Sequence, residues 1–313
     1  MIDLKTERLE FERKKQIYDS AILQFNGCGD MDVYNFSVPF TMNGKRYAFG
    51  RVERHNEFAR SWVYLFEEIA PDVFNLVPGS MIYQLEDPAV AFIGKELILE
   101  GTHIYRKKGK LDFYNAFFYR GIDVNDLYYF TTGPKDIRLV QTDNGIGVFS
   151  RPDGRIGFTV ISDISELDDD LISSAALTDI IDDGGYGGIN QAVYLDSGLI
   201  GTIGHAVYED ENAHGQTERV YVVTASVIDP TDGAIKMQKI IATRSCFPKS
   251  DYVKCDEKGI PIADVAFPSG IAFRADGKVE LYSSLSDALQ GRATIDYPFE
   301  GYGKLKYIEN IKR

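Results

Sequence analysis

The chain has 313 residues, 44% hydrophobic and 26% charged, with a net charge of −13. That is ample material for a large core, and the acidic balance argues against a nucleic-acid backbone or an anionic membrane surface as partner. No apolar run approaches the ~18 residues of a membrane span, and the charged N-terminus has no signal-peptide core. The cysteines, Cys28, Cys246 and Cys255, have neither metal nor disulfide spacing. A cytoplasmic chain with reduced thiols and no metal is the expectation.

Residues 1–25 form an N-terminal extension whose pattern fits either an edge strand or a short helix. After it, a short apolar strand five times runs into a glycine turn and returns as another strand. The turns are Asn43-Gly44-Lys45, Gly94-Lys95, Asn144-Gly145, Ser197-Gly198 and Asp276-Gly277. The first three are about 50 residues apart and the last follows a longer insertion, a period that fits propeller blades.

Strands are predicted over 36–41, 46–52 and 61–66, then 90–93, 97–101 and 113–119, then 137–141, 147–150 and 156–161. They continue over 192–195, 199–207, 220–227 and 234–241, and end with 270–273, 279–283 and 292–297. Short apolar runs broken by Gly, Asn, Asp and Pro are what strands and hairpins require. One helix is predicted over 173–181, with serines as candidate caps. The acidic run 166–170 reads as a solvated loop. The fold expected is all-β, a single five-bladed β-propeller over 1–313, with blades starting near 35, 88, 136, 190 and 269.

In a propeller, the residues just before each inner strand converge at one mouth of the channel. Those entrances carry Asp32 and Asn35, Glu86-Asp87-Pro88, Lys135-Asp136, Asn190, Asp264 and Ser269. Such residues commonly satisfy backbone N–H groups in turns. A ring of carboxylates around a channel is also the raw material of glycoside hydrolysis, in which one carboxyl group protonates the leaving oxygen and a second activates water. Asp87 stands out, because Pro88 fixes the chain just after it and Tyr83 lies close by.

Four stretches carry a family resemblance. They are Tyr34-Asn35-Phe36 with Asn43 to Glu53, Leu85-Glu86-Asp87-Pro88, Lys135-Asp136 with Ser150-Arg151-Pro152, and Phe267-Pro268-Ser269-Gly270 with Leu281 to Asp287. Together they resemble the five-bladed propellers of glycoside hydrolase family 130, the mannoside phosphorylases and β-mannosidases. The resemblance implies an inverting enzyme acting on β-mannosides or related small oligosaccharides. Asp87 is implied as the acid, with a pKa raised by burial and by Glu86. Asn35, Glu53, His205 and Asp287 are implied to grip ring hydroxyls, with Arg51, Glu86 and Asp136 also binding substrate.

Inorganic phosphate is the one co-substrate implied, and no other cofactor. Lys135, Arg138 and Arg151, beside Arg51, are the cations available to hold it. Ala89 stands where the family has arginine and Ser150 where it has histidine. Hydrolysis and phosphorolysis therefore both stay open. So do a non-catalytic carbohydrate-binding propeller and a furanosidase-type hydrolase. Tyr83, Tyr105 and Tyr186 are candidates to stack on sugar faces, against ordinary strand packing. Association into a homo-oligomer is a further open alternative. The four histidines, His55, His103, His205 and His214, offer no zinc spacing.

Overall fold

The computed structural model describes residues 3–55, 57, 60–107, 110–151, 154–178, 186–212, 215–256 and 259–307. Helix α1 (Leu4–Lys14) comes first, with Asp3 accepting from Lys5 N at its start. Strands β1 (Asp19–Ile22) and β2 (Gln24–Asn26) follow. Five sheets then form in chain order. The first holds β3 (Asp32–Tyr34), β4 (Phe40–Met42), β5 (Lys45–Glu53), β6 (Trp62–Ala70) and β7 (Val73–Leu76). The second holds β8 (Glu86–Ile93), β9 (Glu96–Lys107), β10 (Lys110–Gly121) and β11 (Tyr128–Gly133). The third holds β12 (Arg138–Thr142), β13 (Gly145–Ser150), β14 (Gly157–Ile161) and, after helix α2 (Asp169–Ser173), β15 (Ala176–Leu177). The fourth holds β16 (Tyr186–Tyr194), β17 (Ile200–Glu211), β18 (Thr217–Ile228) and β19 (Ile235–Ala242). The fifth holds β20 (Ala266–Phe273), β21 (Val279–Leu285) and β22 (Leu289–Ile295), completed by β1.

Each glycine turn noted in the sequence lies where an inner strand hands over to the next: β4 to β5, β8 to β9, β12 to β13, β16 to β17 and β20 to β21. The sheets pack in order, β5 against β8, β8 against β12, β12 against β16 and β16 against β20. β22 returns against β3. Apolar clusters fill the five seams. Phe40, Leu65 and Leu97 lie between sheets one and two, Ile98, Phe118 and Val148 between two and three, and Phe149, Phe158 and Ile200 between three and four. Ile203, Val223 and Leu281 lie between four and five, and Phe36, Phe74 and Tyr282 between five and one.

The N-terminal residues are part of this architecture. β1 pairs antiparallel with β22 and β2 parallel with β7, so one stretch supplies the outermost strand of both the last and the first sheet. Those two edges are thereby covered by the chain itself. α1 lies over the fourth sheet, with Leu4 buried among Ala206, Val220 and Val222.

Two local expectations need correction. The helix predicted over 173–181 ends where it was expected to begin. Asp168, not a serine, caps α2 by accepting from Leu171 N, and Asp169 and Asp170 fill its first turn, where the helix dipole favours carboxylates. Ala176 and Leu177 then pair with β14, and residues 179–181 lie outside the described residues. The acidic run was thus the helix start. Of the strand predicted over 36–41 only Phe40 and Thr41 are strand, in β4, while β3 lies before that range; both β3 and β4 pair with β5. Residues 35–39 separate β3 from β4, beginning at Asn35, whose φ is 40°.

That break has counterparts. Register slips between Glu86 and Ala89 in β8, between Ile189 and Gln191 in β16, and between Pro268 and Gly270 in β20. Just before β12, Asp136 has φ 68°. Bulges re-aim side chains. Here every inner strand is disturbed at or beside a polar residue, and always towards the same end.

Candidate active site

The disturbed ends enclose a cavity of about 730 Å³. Asn35, Arg51, Glu86, Asp87, Lys135, Asp136, Arg151, His205 and Asp287 all line it. Four of them hold left-handed backbone conformations: Asn35 (φ 40°), Asp87 (51°), Asp136 (68°) and Asp287 (48°). Asn and Asp tolerate this region best among residues with a Cβ, yet each such position still costs about 1–3 kcal/mol. Such conformations cluster at functional sites, and four of them line this one cavity.

Asp87 is clasped on one oxygen. Its Oδ1 accepts from Asn35 Nδ2 at 2.5 Å and Arg51 Nη1 at 2.9 Å, while Lys135 Nζ stands 3.8 Å from Oδ2. Burial pushes this carboxyl up, but Arg51, Lys135 and the Asn35 hydrogen bond outweigh it and hold it at about 2. The expectation of a raised Asp87 pKa is therefore reversed. The two neighbouring cations decide the sign. The raised carboxyls are its neighbours. Burial and Asp87 push Glu86 up against the pull of Arg51 and Lys135. Burial, with Asp87 adding to it, pushes Asp287 up to about 6 against the pull of Arg51.

Lys135 is kept charged by Asp87, Asp136 and Glu86 against the effect of burial. Asp136 accepts from Arg151 Nη1 at 2.8 Å. Burial raises its pKa, and Lys135, Arg138 and Arg151 overcome that to hold it down. The Arg151 guanidinium lies 4.0 Å over the ring of Tyr186. Two buried polar atoms of this lining, Asn35 Oδ1 and Arg151 Nε, have no hydrogen-bond partner among the described residues. Buried polar atoms are rarely left so.

The surroundings of His205 differ from the Asp87 cluster, for the histidine ring is neutral and packed on other rings. His205 Nδ1 lies 2.8 Å from Asn190 Oδ1. Burial, with Arg151, Arg138 and Lys135, drives its pKa down to about 3, so the ring is uncharged. A proton on Nδ1, shared with Asn190, leaves Nε2 as an acceptor. Phe267 packs against the ring at 4.7 Å and Tyr221 at 5.9 Å. Gly188 makes this possible, since a Cβ there would stand 2.9 Å from His205 Cε1.

Two expected site residues lie outside the lining. Glu53 is fully buried behind Arg51, taking Arg51 Nη2 at 2.7 Å and Ser61 Oγ at 2.6 Å on one oxygen. Burial opposes its ionisation, but Arg51, Ser61, Tyr34 and Lys254 hold its pKa at about 2. Arg138 turns away to Glu100 Oε2 at 2.6 Å and Asn190 O at 2.9 Å. Tyr83 is a core residue packed on Phe49 and Tyr119, and Asp264 pairs with Arg8 of α1.

Tyr105 and His103 line a second cleft of about 560 Å³ with Arg54, Arg60, Trp62 and Arg106. Glu86 is common to both cavities. His214 lies outside the described residues. The aromatic wall residue Tyr221 and the wall formed by Asp256, Ile260, Pro261 and Ile262 were missed. Lys254, which underpins that wall, was missed too. These residues sit in a hairpin and an irregular insertion, and no periodicity marks them. Among the described residues no group of three or more His, Cys, Asp or Glu is placed to hold a metal ion, and no helix is long and apolar enough to cross a membrane.

Residues 9–301 match a family described as protein of unknown function, DUF1861. The chain belongs to this family. No curated protein matches it. Among solved structures it is similar to a mannose phosphorylase from Leishmania mexicana, MPT-4, determined in complex with phosphate ion. Identity is 44% over 99% of this chain and 98% of that one, with a TM-score of 0.92. It is also similar to MPT-1, a GDP-Man-dependent mannosyltransferase from the same organism, at 40% identity over all of both chains and a TM-score of 0.92. A glycosyl hydrolase from Bacteroides ovatus shares the fold alone, at 12% identity over 90% of this chain and 87% of that one, with a TM-score of 0.55. The resemblance to mannoside phosphorylases thus holds for near relatives of this DUF1861 chain.

Proposed function

We propose that this chain is a mannoside phosphorylase built as a five-bladed β-propeller, with the five sheets as its blades, and that it resembles glycoside hydrolase family 130 in its site. The observation that carries this reading is the placement of Lys135 and Arg151 beside Asp87 in one cavity, with the Arg151 Nε unpartnered. The similarity to a mannose phosphorylase determined with phosphate supports it.

In this reading phosphate takes Lys135 and Arg151, and the sugar takes Asn35, Asp287 and the neutral His205 wall. Phosphate draws Lys135 from Asp87 and adds negative charge nearby, which raises the proton affinity of Asp87. Asp87 thereby becomes an acid only when the co-substrate is present. A phosphate oxygen attacks the anomeric carbon as the glycosidic C–O bond breaks. The leaving oxygen takes the Asp87 proton, and the proton of hydrogen phosphate restores it. The products are a sugar 1-phosphate and a sugar shortened by one unit.

A second reading is mannosyl transfer from a nucleotide sugar. It is favoured by the arginine-lined second cleft, which meets the cavity at Glu86, and by the similarity to a GDP-Man-dependent transferase. The deciding assay follows sugar 1-phosphate released from β-mannosides, with and without phosphate and with GDP-Man as alternative donor, in the wild type and in Asp87→Asn. Phosphate-dependent release lost in the variant is expected. Phosphate-independent sugar release lost in the variant would make the enzyme a hydrolase. Turnover surviving Asp87→Asn would sink the role given to Asp87.

A further inference from the structure

The insertion between β19 and β20 carries one buried cation that the chemistry above does not use. Lys254 is 5% exposed, and its Nζ lies 3.1 Å from Asp32 Oδ2 and 3.0 Å from Glu53 Oε2. It also stands 4.4 Å over the Tyr34 ring, which takes the Arg51 guanidinium at 4.9 Å. Glu53 uses its other oxygen for Arg51, and Arg51 holds Asp87. An unbroken run of charge contacts therefore leads from Lys254 to the Asp87 carboxylate.

The backbone of the same residue makes two further ties. Lys254 N donates to Ser286 O, in the left-handed turn that presents Asp287. Lys254 O accepts from Ile262 N at 2.8 Å, next to the cavity wall formed by Ile260, Pro261 and Ile262. Tyr252 reinforces the anchor by donating to Asp32 Oδ2 at 2.8 Å.

We propose that Lys254 is a positioning residue of this site: it fixes Arg51, the Asp287 turn and the insertion wall relative to one another. A lysine serving only to glue the insertion to the first sheet would need Asp32 alone. The second carboxylate, Glu53, is the one that sets Arg51. The groups facing Asp287 electrostatically are Arg51, Asp87, Glu53 and Lys254, with Tyr34 and Tyr221. Arg51 and Lys254 are the cations among them.

The test has two readouts, and only one depends on the function proposed above. Lys254→Met and Lys254→Arg are made in the full chain. In the assay for mannoside turnover, Lys254→Met is expected to lower kcat about a hundredfold with KM nearly unchanged, the loss typical of a small misplacement of reacting groups. Lys254→Arg is expected to restore most of it. In a carbon-detected NMR titration, assigned with Asp287→Asn, the Asp287 carboxyl is expected to titrate at higher pH in Lys254→Met and near its wild-type pH in Lys254→Arg. A folded Lys254→Met protein with wild-type kcat, or with an unmoved Asp287 titration, overturns the proposal. A wild type inactive on every sugar sinks the functional reading alone, because the titration still decides the role of Lys254. Should Lys254→Met fail to fold, Asp32→Asn removes one of the two carboxylates that hold the ammonium. It is expected to cost about tenfold in kcat, and an unchanged kcat and Asp287 titration would overturn the proposal equally.

Discussion

The two walls of the cavity are built on opposite principles. On one side Arg51, Glu86, Asp87 and Lys135, backed by Glu53 and Lys254 behind the lining, form a net in which every cation touches a carboxylate. On the other, Asn190, His205, Tyr221 and Phe267 present rings and a single neutral hydrogen bond. A buried charge is costly unless paired, so the charged wall is stiff and intolerant of loss. The neutral wall makes no such demand and can meet the apolar face of a sugar ring. Anion and proton chemistry fits the first wall, and recognition of a neutral ring fits the second.

Breaking the charged wall gives the largest effect. Arg51→Met strands Glu53, Glu86 and Asp87 without their shared cation, and the expected loss is about 3–5 kcal/mol of stability in urea unfolding. The same change on the neutral wall is mild. His205→Phe keeps the ring and leaves only the Asn190 amide short of a partner, so about 1–2 kcal/mol is expected. Its functional signature also differs. KM for the sugar should rise about tenfold, from one lost hydrogen bond to the sugar, while the pH profile of kcat stays where it was. If His205→Phe destabilises as much as Arg51→Met, the contrast between the walls is false.

The charged wall was the more legible in sequence. Most of its residues sit in local strings, Arg51-Val52-Glu53 at the end of one strand and Glu86-Asp87-Pro88 and Lys135-Asp136 at the start of others, at strand ends that the glycine turns make countable. What could not be read was direction. Glu53 and Arg138 look equivalent to their neighbours in sequence, yet Glu53, on the same face of β5 as Arg51, lies buried behind it, and Arg138 turns to Glu100 of the neighbouring sheet. The sign of the Asp87 pKa shift failed for a related reason, since it depends on how close Arg51 and Lys135 come from other parts of the chain. Lys254 was invisible because it lies 201 residues from Glu53 in an insertion without periodicity. For residues 1–25 the sequence offered an edge strand or a short helix and the chain forms both, but the strands' partners, β22 and β7, could not be read because they lie far along the chain.

Asp287 is the exception within the charged half, and it sharpens the comparison at the smallest scale. Among the described residues no cation bonds it directly, and burial lifts its carboxyl from 3.8 to about 6. A carboxyl whose folded pKa is raised binds its proton more tightly in the folded chain. It therefore favours folding below its ordinary value, and that contribution is lost as pH rises from about 4 to about 6. Glu53, held at about 2, behaves in the opposite sense, and its contribution disappears only as pH falls towards 2. The two windows overlap only between the ordinary values of 3.8 for Asp287 and 4.5 for Glu53, and their slopes are of opposite sign. Between pH 4 and 6 the wild type is expected to lose roughly 1–2 kcal/mol that Asp287→Asn does not, after discounting for the partial exposure of this side chain. Urea midpoints across that range measure the difference. A wild type and variant that run parallel would mean that Asp287 is already paired and that the charged wall has no exception.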